Sequence, residues 1–156
     1  MGNKLPFNLY AHIRNLSWDL LANAHMTSLP IDIRKIADLH KLSYLIKENN
    51  SLYKNTYIVS KAILKIFGYS SRHAVCDTLA VRLMAPLIVL RDCDVDSPAE
   101  VAKMTLLPDK LAKQRYERLL CAKEVGLFEL SSQERVIRVI FSDYVGSYSK
   151  NQLTHV

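Results

Sequence analysis

The feature that most constrains the fold is an apolar pattern of helical spacing that ends at a proline, in residues 75–86. Apolar side chains recur there at intervals of three and four residues, which places them on one face of an α-helix. They are Cys76, Leu79, Ala80, Leu83 and Met84. Pro86 disfavours helical conformation in the residue before it, so we predict that the helix ends there. Taken alone, the pattern is typical of a buried core helix.

Other segments also favour helices. Residues 58–67 carry a wide apolar stripe, and we predict a first helix at about residues 9–24 and a short one that opens at residues 30–32. Residues 97–100 and 131–134 are capping boxes, in which a serine and a glutamate satisfy the first free N–H groups of a helix. Helices are therefore predicted to begin at both boxes.

The first of these C-terminal helices is predicted to break at residues 106–108, and a second helix to run from about residue 108 or 109 to residue 123. The second capping box opens a single final helix with an apolar face. That face consists of Val136, Ile137, Ile140, Phe141, Tyr144 and Tyr148. We expect it to pack against the body of the domain.

Composition favours one compact domain in a reducing compartment. A chain of 156 residues, 49% of them apolar, can bury most of its surface in a single core. The three cysteines show no disulfide-framework spacing, so we expect a cytoplasmic protein. No apolar run approaches the roughly 20 residues that span a bilayer, so we expect no membrane association.

The helix that ends at Pro86 also carries a resemblance to a known family. Residues 76–90 and 97–102 resemble the ImmA/IrrE family of zinc metallopeptidases, in which an A-N-x-F-A-x-x-L-L-x-P helix leads into a small helix-turn-helix-like element. Residues 29–37 are similar to the initial helix of that family. The resemblance extends over about residues 10–144.

This resemblance implies a mainly α (α+β) fold: a degenerate zincin-like helical domain with a small residual β-sheet. Residues 1–156 are expected to form one domain. Within it, residues 1–95 are the degenerate metallopeptidase-like core, and residues 96–156 are a helical element that resembles a helix-turn-helix, followed by a C-terminal helix. Residues 43–47 are the best strand candidate, and we expect one to three short strands.

The metal site of the family is the part that this chain lacks. In the family, two histidines of H-E-x-x-H share a helix face and bind zinc, while the glutamate takes a proton from the metal-bound water. The resemblance places Ser60 and Leu64 at the histidine positions, Lys61 at the glutamate and Val75 at the third ligand. A hydroxyl is a poor zinc donor, an alkyl group has no lone pair, and an ammonium repels the cation. We therefore predict no catalytic residue, no metal and no other cofactor.

The sequence offers no complete substitute for this site. His73, Cys76 and Asp77 are the clustered metal donors, but no C-x-x-C or H-x-x-x-H spacing supplies further ligands. A helix-face histidine and a buried thiol are the favoured interpretation. No G-x-S-x-G motif or activated-thiolate signature appears either.

The second helix of the predicted helix-turn-helix has a basic side. Lys110, Lys113, Gln114 and Arg118 lie together on it, and Arg115 adds to its charge. The net charge of +6 agrees with phosphate contacts. Basic residues on a helix that also carries acids are usually solvated surface, so an ordinary surface or a contact with a protein partner is favoured over binding of nucleic acid.

These observations favour a pseudoenzyme. Active ImmA/IrrE proteins look like phage- or mobile-element-encoded proteases that cleave a helix-turn-helix repressor, which implies a phage or prophage setting. We expect a catalytically inactive relative that acts as a regulatory interaction module and binds a protein partner such as a repressor. Two alternatives stay open: a DNA-binding transcriptional regulator that uses the basic helix, and an active metallo-endopeptidase whose motif is misaligned here.

Overall fold

The computed structural model of the protein describes the backbone of residues 7–125 and 132–154, and the side chains of residues 9–122 and 132–148. Over the described backbone the chain forms nine α-helices. They are α1 (Phe7–Asn23), α2 (Ile33–Leu39), α3 (Leu52–Ile66), α4 (His73–Met84), α5 (Leu87–Asp92), α6 (Pro98–Thr105), α7 (Asp109–Val125), α8 (Ser132–Ile140) and α9 (Ser142–Thr154). The prediction of a mainly α fold is confirmed.

Helix α4 lies at the centre of the fold, where it packs against both α1 and α3. It is the helix predicted from the apolar pattern, and it ends at Met84, two residues before Pro86. All five apolar side chains of that pattern are fully buried. The chain then turns and forms α5, a short helix that the sequence did not predict.

Helices α4 and α5 together make one apolar stretch, His73–Asp92. In the described part of the chain, this stretch alone is long and apolar enough to cross a membrane by length and composition, contrary to our expectation that no run approaches that length. Most of the stretch is buried inside the protein, and the chain turns at Ala85 and Pro86. A core segment meets the same criterion, so the stretch is weak evidence for a membrane span.

The prediction of a small β-sheet is wrong, since residues 7–125 and 132–154 contain no strand. The strand candidate instead forms a short 3-10 helix, Ser43–Leu45. The Asn55 side chain accepts a hydrogen bond from the Lys47 N–H at 3.1 Å and donates one to the Lys47 carbonyl at 2.9 Å. The Asn55 side chain thus pairs both backbone groups of Lys47, the last residue of the strand candidate.

The capping box at the start of α6 forms with a shift of one residue. The Glu100 N–H donates to the Ser97 hydroxyl at 3.1 Å, as predicted. The Glu100 carboxylate accepts from the N–H of Asp96 at 2.8 Å, rather than from that of Ser97. Helix α6 ends at Thr105 and packs against α7, and the residue that follows it, Leu106, has a left-handed backbone conformation. Such a pair occurs in many helical folds and does not by itself identify a DNA-binding motif.

The predicted single C-terminal helix is two helices, α8 and α9, which meet at Phe141. Ile137 and Phe141 are fully buried, as their place on the apolar face requires. Val136 is exposed, contrary to the prediction. The predicted capping serine at residue 131 lies outside the described residues.

The buried apolar side chains of α1 to α8 form one continuous core. Val101 on α6 and Leu119 on α7 belong to the same cluster as Ile13 on α1 and Ile63 on α3. The two parts that the sequence divides near residue 95 therefore share their hydrophobic interior.

Candidate functional site

The residues that the resemblance assigns to the zinc-ligand positions lie in the core, on two helices that pack against each other. Ser60 and Leu64 on α3 and Val75 on α4 are all fully buried. Lys61, which the resemblance assigns to the general base, is exposed. One hydroxyl and two alkyl groups provide no nitrogen, thiolate or carboxylate ligand, so these residues do not fit zinc.

The hydroxyl of Ser60 is unusual because it is buried and has no hydrogen-bond partner. Most buried polar groups in proteins are paired, since an unpaired one loses its hydration without compensation. The other buried serine on a described helix, Ser17, follows the rule and donates to the Arg14 carbonyl at 2.6 Å. The unpaired Ser60 hydroxyl therefore lowers the stability of the folded protein.

A row of polar side chains lies along the same pair of helices, α3 and α4. The Tyr53 hydroxyl donates to the Asp77 carboxylate. The Tyr57 hydroxyl lies 2.8 Å from His73 Nδ1, and the Cys76 thiol donates to the Ser71 carbonyl at 3.1 Å. The three alternative metal donors thus each have another partner. Among the described residues, no group of three or more histidine, cysteine, aspartate or glutamate side chains is placed to bind a metal.

Two titratable groups in this row, the Cys76 thiol and the Tyr57 hydroxyl, are held in their neutral forms. Burial raises the pKa of the Cys76 thiol above its usual value, although the nearby Lys61 ammonium acts in the opposite direction. Burial likewise raises the pKa of the Tyr57 hydroxyl, and the Cys76 thiol adds to the effect. A protonated thiol is a poor nucleophile, so this row does not supply an activated one.

The residues predicted to contact nucleic acid all lie on the exposed side of α7. Lys110, Lys113, Gln114 and Arg118 are exposed. Arg115 was expected to add to this basic surface, and that expectation is wrong: only 6% of it is exposed, and its Nε donates to the Ala85 carbonyl at 2.8 Å. Arg115 thus donates a hydrogen bond to a carbonyl at the C-terminal end of α4. Such a carbonyl has no N–H donor within the helix, because no further turn follows.

Gln114 and Arg118 also border a cationic cleft between α1, α4 and α7. It contains two adjoining cavities, of about 170 Å³ and about 90 Å³, that share Tyr10, Arg82 and Arg118 as lining residues. We call this cleft the arginine pocket. Its aromatic and basic lining consists of Tyr10, Arg14, Trp18, Arg82, Arg115 and Arg118.

Arg82 holds the central place in the arginine pocket. Only 5% of the residue is exposed, and its guanidinium carbon lies 4.1 Å from the centre of the Tyr10 ring, in a cation–π contact. Burial is the main cause of a lowered pKa of Arg82, and the charges of Arg14 and Arg118 act in the same direction. The Tyr10 hydroxyl acts in the opposite direction and raises this pKa.

The arginine pocket was not predicted from the sequence, although the sequence contains one signal for it. Arg82 is the only charged residue in the run 78–90, which is otherwise the most apolar part of the chain. A lone charge in a core helix requires a compensating environment, which marks its surroundings as a candidate site. Its partners Tyr10 and Arg118 are distant in sequence, so only the fold identifies them.

Comparison of the chain with models of protein families, with curated proteins and with solved structures found no match.

Proposed function

We propose that this protein is a non-catalytic relative of the ImmA/IrrE metallopeptidases, which regulates a phage or other mobile element by binding a protein partner such as a repressor. The observation that carries the proposal is the burial of Ser60, Leu64 and Val75 at the ligand positions, where no side chain has zinc-binding chemistry. Loss of these groups removes bond cleavage and leaves binding possible, because the two use different side chains.

An exposed apolar patch supports the binding part of the proposal. Leu39, Tyr44, Ile66 and Phe67 are all exposed at the ends of α2 and α3 and in the 3-10 helix between them. The rings of His40 and Phe67 contact each other, with centres 5.9 Å apart, so the ends of α2 and α3 are neighbours. Exposed apolar groups that cluster in this way often mark contact sites for another protein.

Zinc analysis tests the relation to the family. The fourfold variant Ser60→His, Lys61→Glu, Leu64→His, Val75→Glu rebuilds the ligand set that the resemblance implies. We expect no stoichiometric zinc in the wild-type protein and about one zinc ion per folded variant chain. A folded variant that binds no zinc contradicts the superposition on the family, and stoichiometric zinc in the wild type contradicts the loss of the site.

Calorimetric titration with the helix-turn-helix repressor of the same genetic element tests the partner. We expect binding that Phe67→Glu weakens about tenfold or more, because a charge replaces an apolar contact. Val139→Glu is the matched control, since it makes the same kind of change at an exposed residue of α8. Mass spectrometry is expected to find the repressor intact after incubation, and a cleaved repressor contradicts the proposal.

A DNA-binding regulator is the second candidate, favoured by the exposure of the basic side chains on α7. Several phosphate contacts make affinity fall steeply between low and moderate salt. The variant Lys110→Glu, Lys113→Glu, Arg118→Glu is expected to abolish a mobility shift of duplex DNA while the protein stays folded by circular dichroism. An affinity that does not change with salt excludes this candidate.

The cysteine usage that favours a reducing compartment supports a cytoplasmic location as part of the proposed function.

A further inference from the structure

We propose that the arginine pocket binds the phosphate group of a small molecule. This inference is independent of the proposed function, since it uses none of the zinc-ligand positions and none of the apolar patch. It rests on the number of cations around the cleft, on the burial of Arg82 and Arg115 and on an excess of cations over carboxylates. It also rests on a buried donor that borders the cleft.

The buried arginines of the pocket form no ion pair with a carboxylate of the described residues. The described part of the chain forms ion pairs that involve Asp92, and none that involve Arg82, Arg115 or Arg118. A guanidinium buried to this degree is normally paired with an anion or hydrogen-bonded by several acceptors. Arg115 has the Ala85 carbonyl, and Arg82 has the face of the Tyr10 ring. Neither contact supplies a negative charge.

Two acidic residues border the cleft, and each interacts with another residue of the protein. Asp77 lines the larger cavity, and its carboxylate accepts a hydrogen bond from the Tyr53 hydroxyl. Glu134 lines the smaller cavity, and its charge favours the ionised form of Arg82. Two carboxylates border a cleft that is lined by four guanidinium groups, so the cleft keeps an excess of positive charge.

The arginines also act on one another. Burial, with the charges of Arg82 and Arg118 acting in the same direction, lowers the pKa of Arg115 to about 9. This mutual repulsion is relieved when an anion enters between the guanidinium groups. The free pocket is therefore the less stable state, and a ligand with negative charge is expected to stabilise the protein.

A buried donor at the edge of the pocket points to the same kind of ligand. Trp18 is 4% exposed, lines the smaller cavity and has an indole N–H with no hydrogen-bond partner. Buried indole N–H groups usually donate to an acceptor. No described residue supplies that acceptor, so an oxygen atom of a ligand that reaches the indole is a fitting partner.

Size and geometry select the phosphate group. The two cavities, about 170 Å³ and about 90 Å³, are smaller than the roughly 300–1,000 Å³ of typical sites for drug-sized ligands, so they hold one small anionic group. Guanidinium groups bind phosphate through paired N–H donors, and a phosphate offers three oxygen acceptors to several arginines at once. The remainder of the ligand lies outside the cavities.

Calorimetric titration and thermal unfolding with sodium phosphate, with a phosphate monoester and with sodium chloride at equal ionic strength test this inference. We expect saturable binding of phosphate and of the monoester, with a rise in Tm that chloride does not produce. Arg118→Gln is expected to weaken phosphate binding about tenfold or more, because a charged donor pair is lost. Arg118 is exposed, so this variant is expected to fold.

Lys113→Gln is the matched control, because it removes one positive charge from an exposed residue of α7 that does not line the pocket. It is expected to keep wild-type phosphate affinity. Equal loss in Lys113→Gln and Arg118→Gln overturns the inference, as does the absence of saturable phosphate binding. Binding of duplex DNA without binding of phosphate or the monoester also overturns it, and favours the basic surface of α7 instead.

Discussion

At the scale of single residues, Ser60 and Ser17 have the same side chain in the same kind of buried helical position but differ in hydrogen bonding. Ser60 Oγ has no partner, whereas Ser17 Oγ donates to a carbonyl. We predict that Ser60→Ala raises the free energy of unfolding by about 1 kcal/mol, because an unpaired polar group is removed from the core.

The matched control is Ser17→Ala, which removes a paired hydroxyl and is expected to lower the free energy of unfolding by about 1 kcal/mol. Urea titration of both variants gives the two values. A fall in stability for Ser60→Ala as large as that for Ser17→Ala means that Ser60 Oγ has a hydrogen-bond acceptor in solution.

The buried Cys93 thiol makes the free energy of unfolding depend on pH in the alkaline range. It is 2% exposed, and burial raises its pKa from 9.0 to about 12, with the charges of Asp92 and Glu100 adding to the effect. Between these two values the unfolded thiol ionises and the folded thiol keeps its proton. The folded state then binds more protons, so the free energy of unfolding falls as pH rises from 9 to 12, by up to about 1.4 kcal/mol per pH unit.

We predict that Cys93→Ala removes the contribution of this thiol to the fall of the free energy of unfolding with pH. This holds whatever the substitution does to stability at neutral pH. Cys121→Ala, at an exposed cysteine, is the control and is expected to keep the wild-type slope. Urea unfolding at several pH values from 8 to 11 measures it. An unchanged slope in Cys93→Ala contradicts the prediction.

Sequence reasoning at the residue scale succeeded where a side chain continues a local apolar pattern and failed where the partner is remote. The burial of Leu83 and Met84 follows from their spacing along α4. The burial of Arg115 does not follow from α7, whose polar residues surround it. Its hydrogen bond is with Ala85, thirty residues earlier in the chain.

At the scale of helices, the N-cap of α6 is the best-defined local signal. The Ser97 hydroxyl accepts from the Glu100 N–H, and Pro98 occupies the first turn. We predict that Ser97→Ala lowers the free energy of unfolding by about 1 kcal/mol, because one N–H of the first turn loses its acceptor. Ser97→Asp keeps an acceptor and is expected to stay within about 0.5 kcal/mol of the wild type. Chemical denaturation distinguishes the two, and equal loss in both variants argues against a capping role.

Helix boundaries could be predicted where the chain carries its own stop or start. Pro86 marked the end of α4 and Ser97 the start of α6. The strand candidate instead forms a 3-10 helix at Ser43–Leu45, and the backbone of its last residue, Lys47, is paired by the Asn55 side chain, a contact that no local pattern encodes. The division between α8 and α9 at Phe141 has no glycine or proline to mark it.

At the scale of the whole molecule, the continuous core predicts that the two parts of the chain unfold together. Leu119 on α7 is fully buried in the same cluster as the residues of α3. We predict that Leu119→Ala lowers stability by about 2–5 kcal/mol through cavity formation. Its effect is expected to be equal on the slowest-exchanging amides of α3 and of α7.

Native-state hydrogen exchange measures this coupling. Leu120→Ala is the control, since Leu120 is the exposed neighbour of Leu119, and it is expected to change stability by less than about 0.5 kcal/mol. Loss of protection in α7 without loss in α3 shows two separate units, which contradicts the shared core.

The mainly α class could be predicted from the whole chain because periodicity repeats in nearly every segment. The arginine pocket could not, since Tyr10, Arg82 and Arg118 come from three helices that meet only after folding. Metal-binding and nucleophile motifs are recognised because their residues are close together in the sequence, within one helix or strand. The residues of a cleft between three helices are far apart in the sequence and form no such motif.

The chain contains a single tryptophan, Trp18, whose indole borders the smaller cavity of the arginine pocket. The emission of a buried indole depends on the charge and polarity of its immediate surroundings. An incoming ligand therefore changes the fluorescence of one ring at a known position. The protein carries an intrinsic optical reporter, which allows occupancy to be followed without a label.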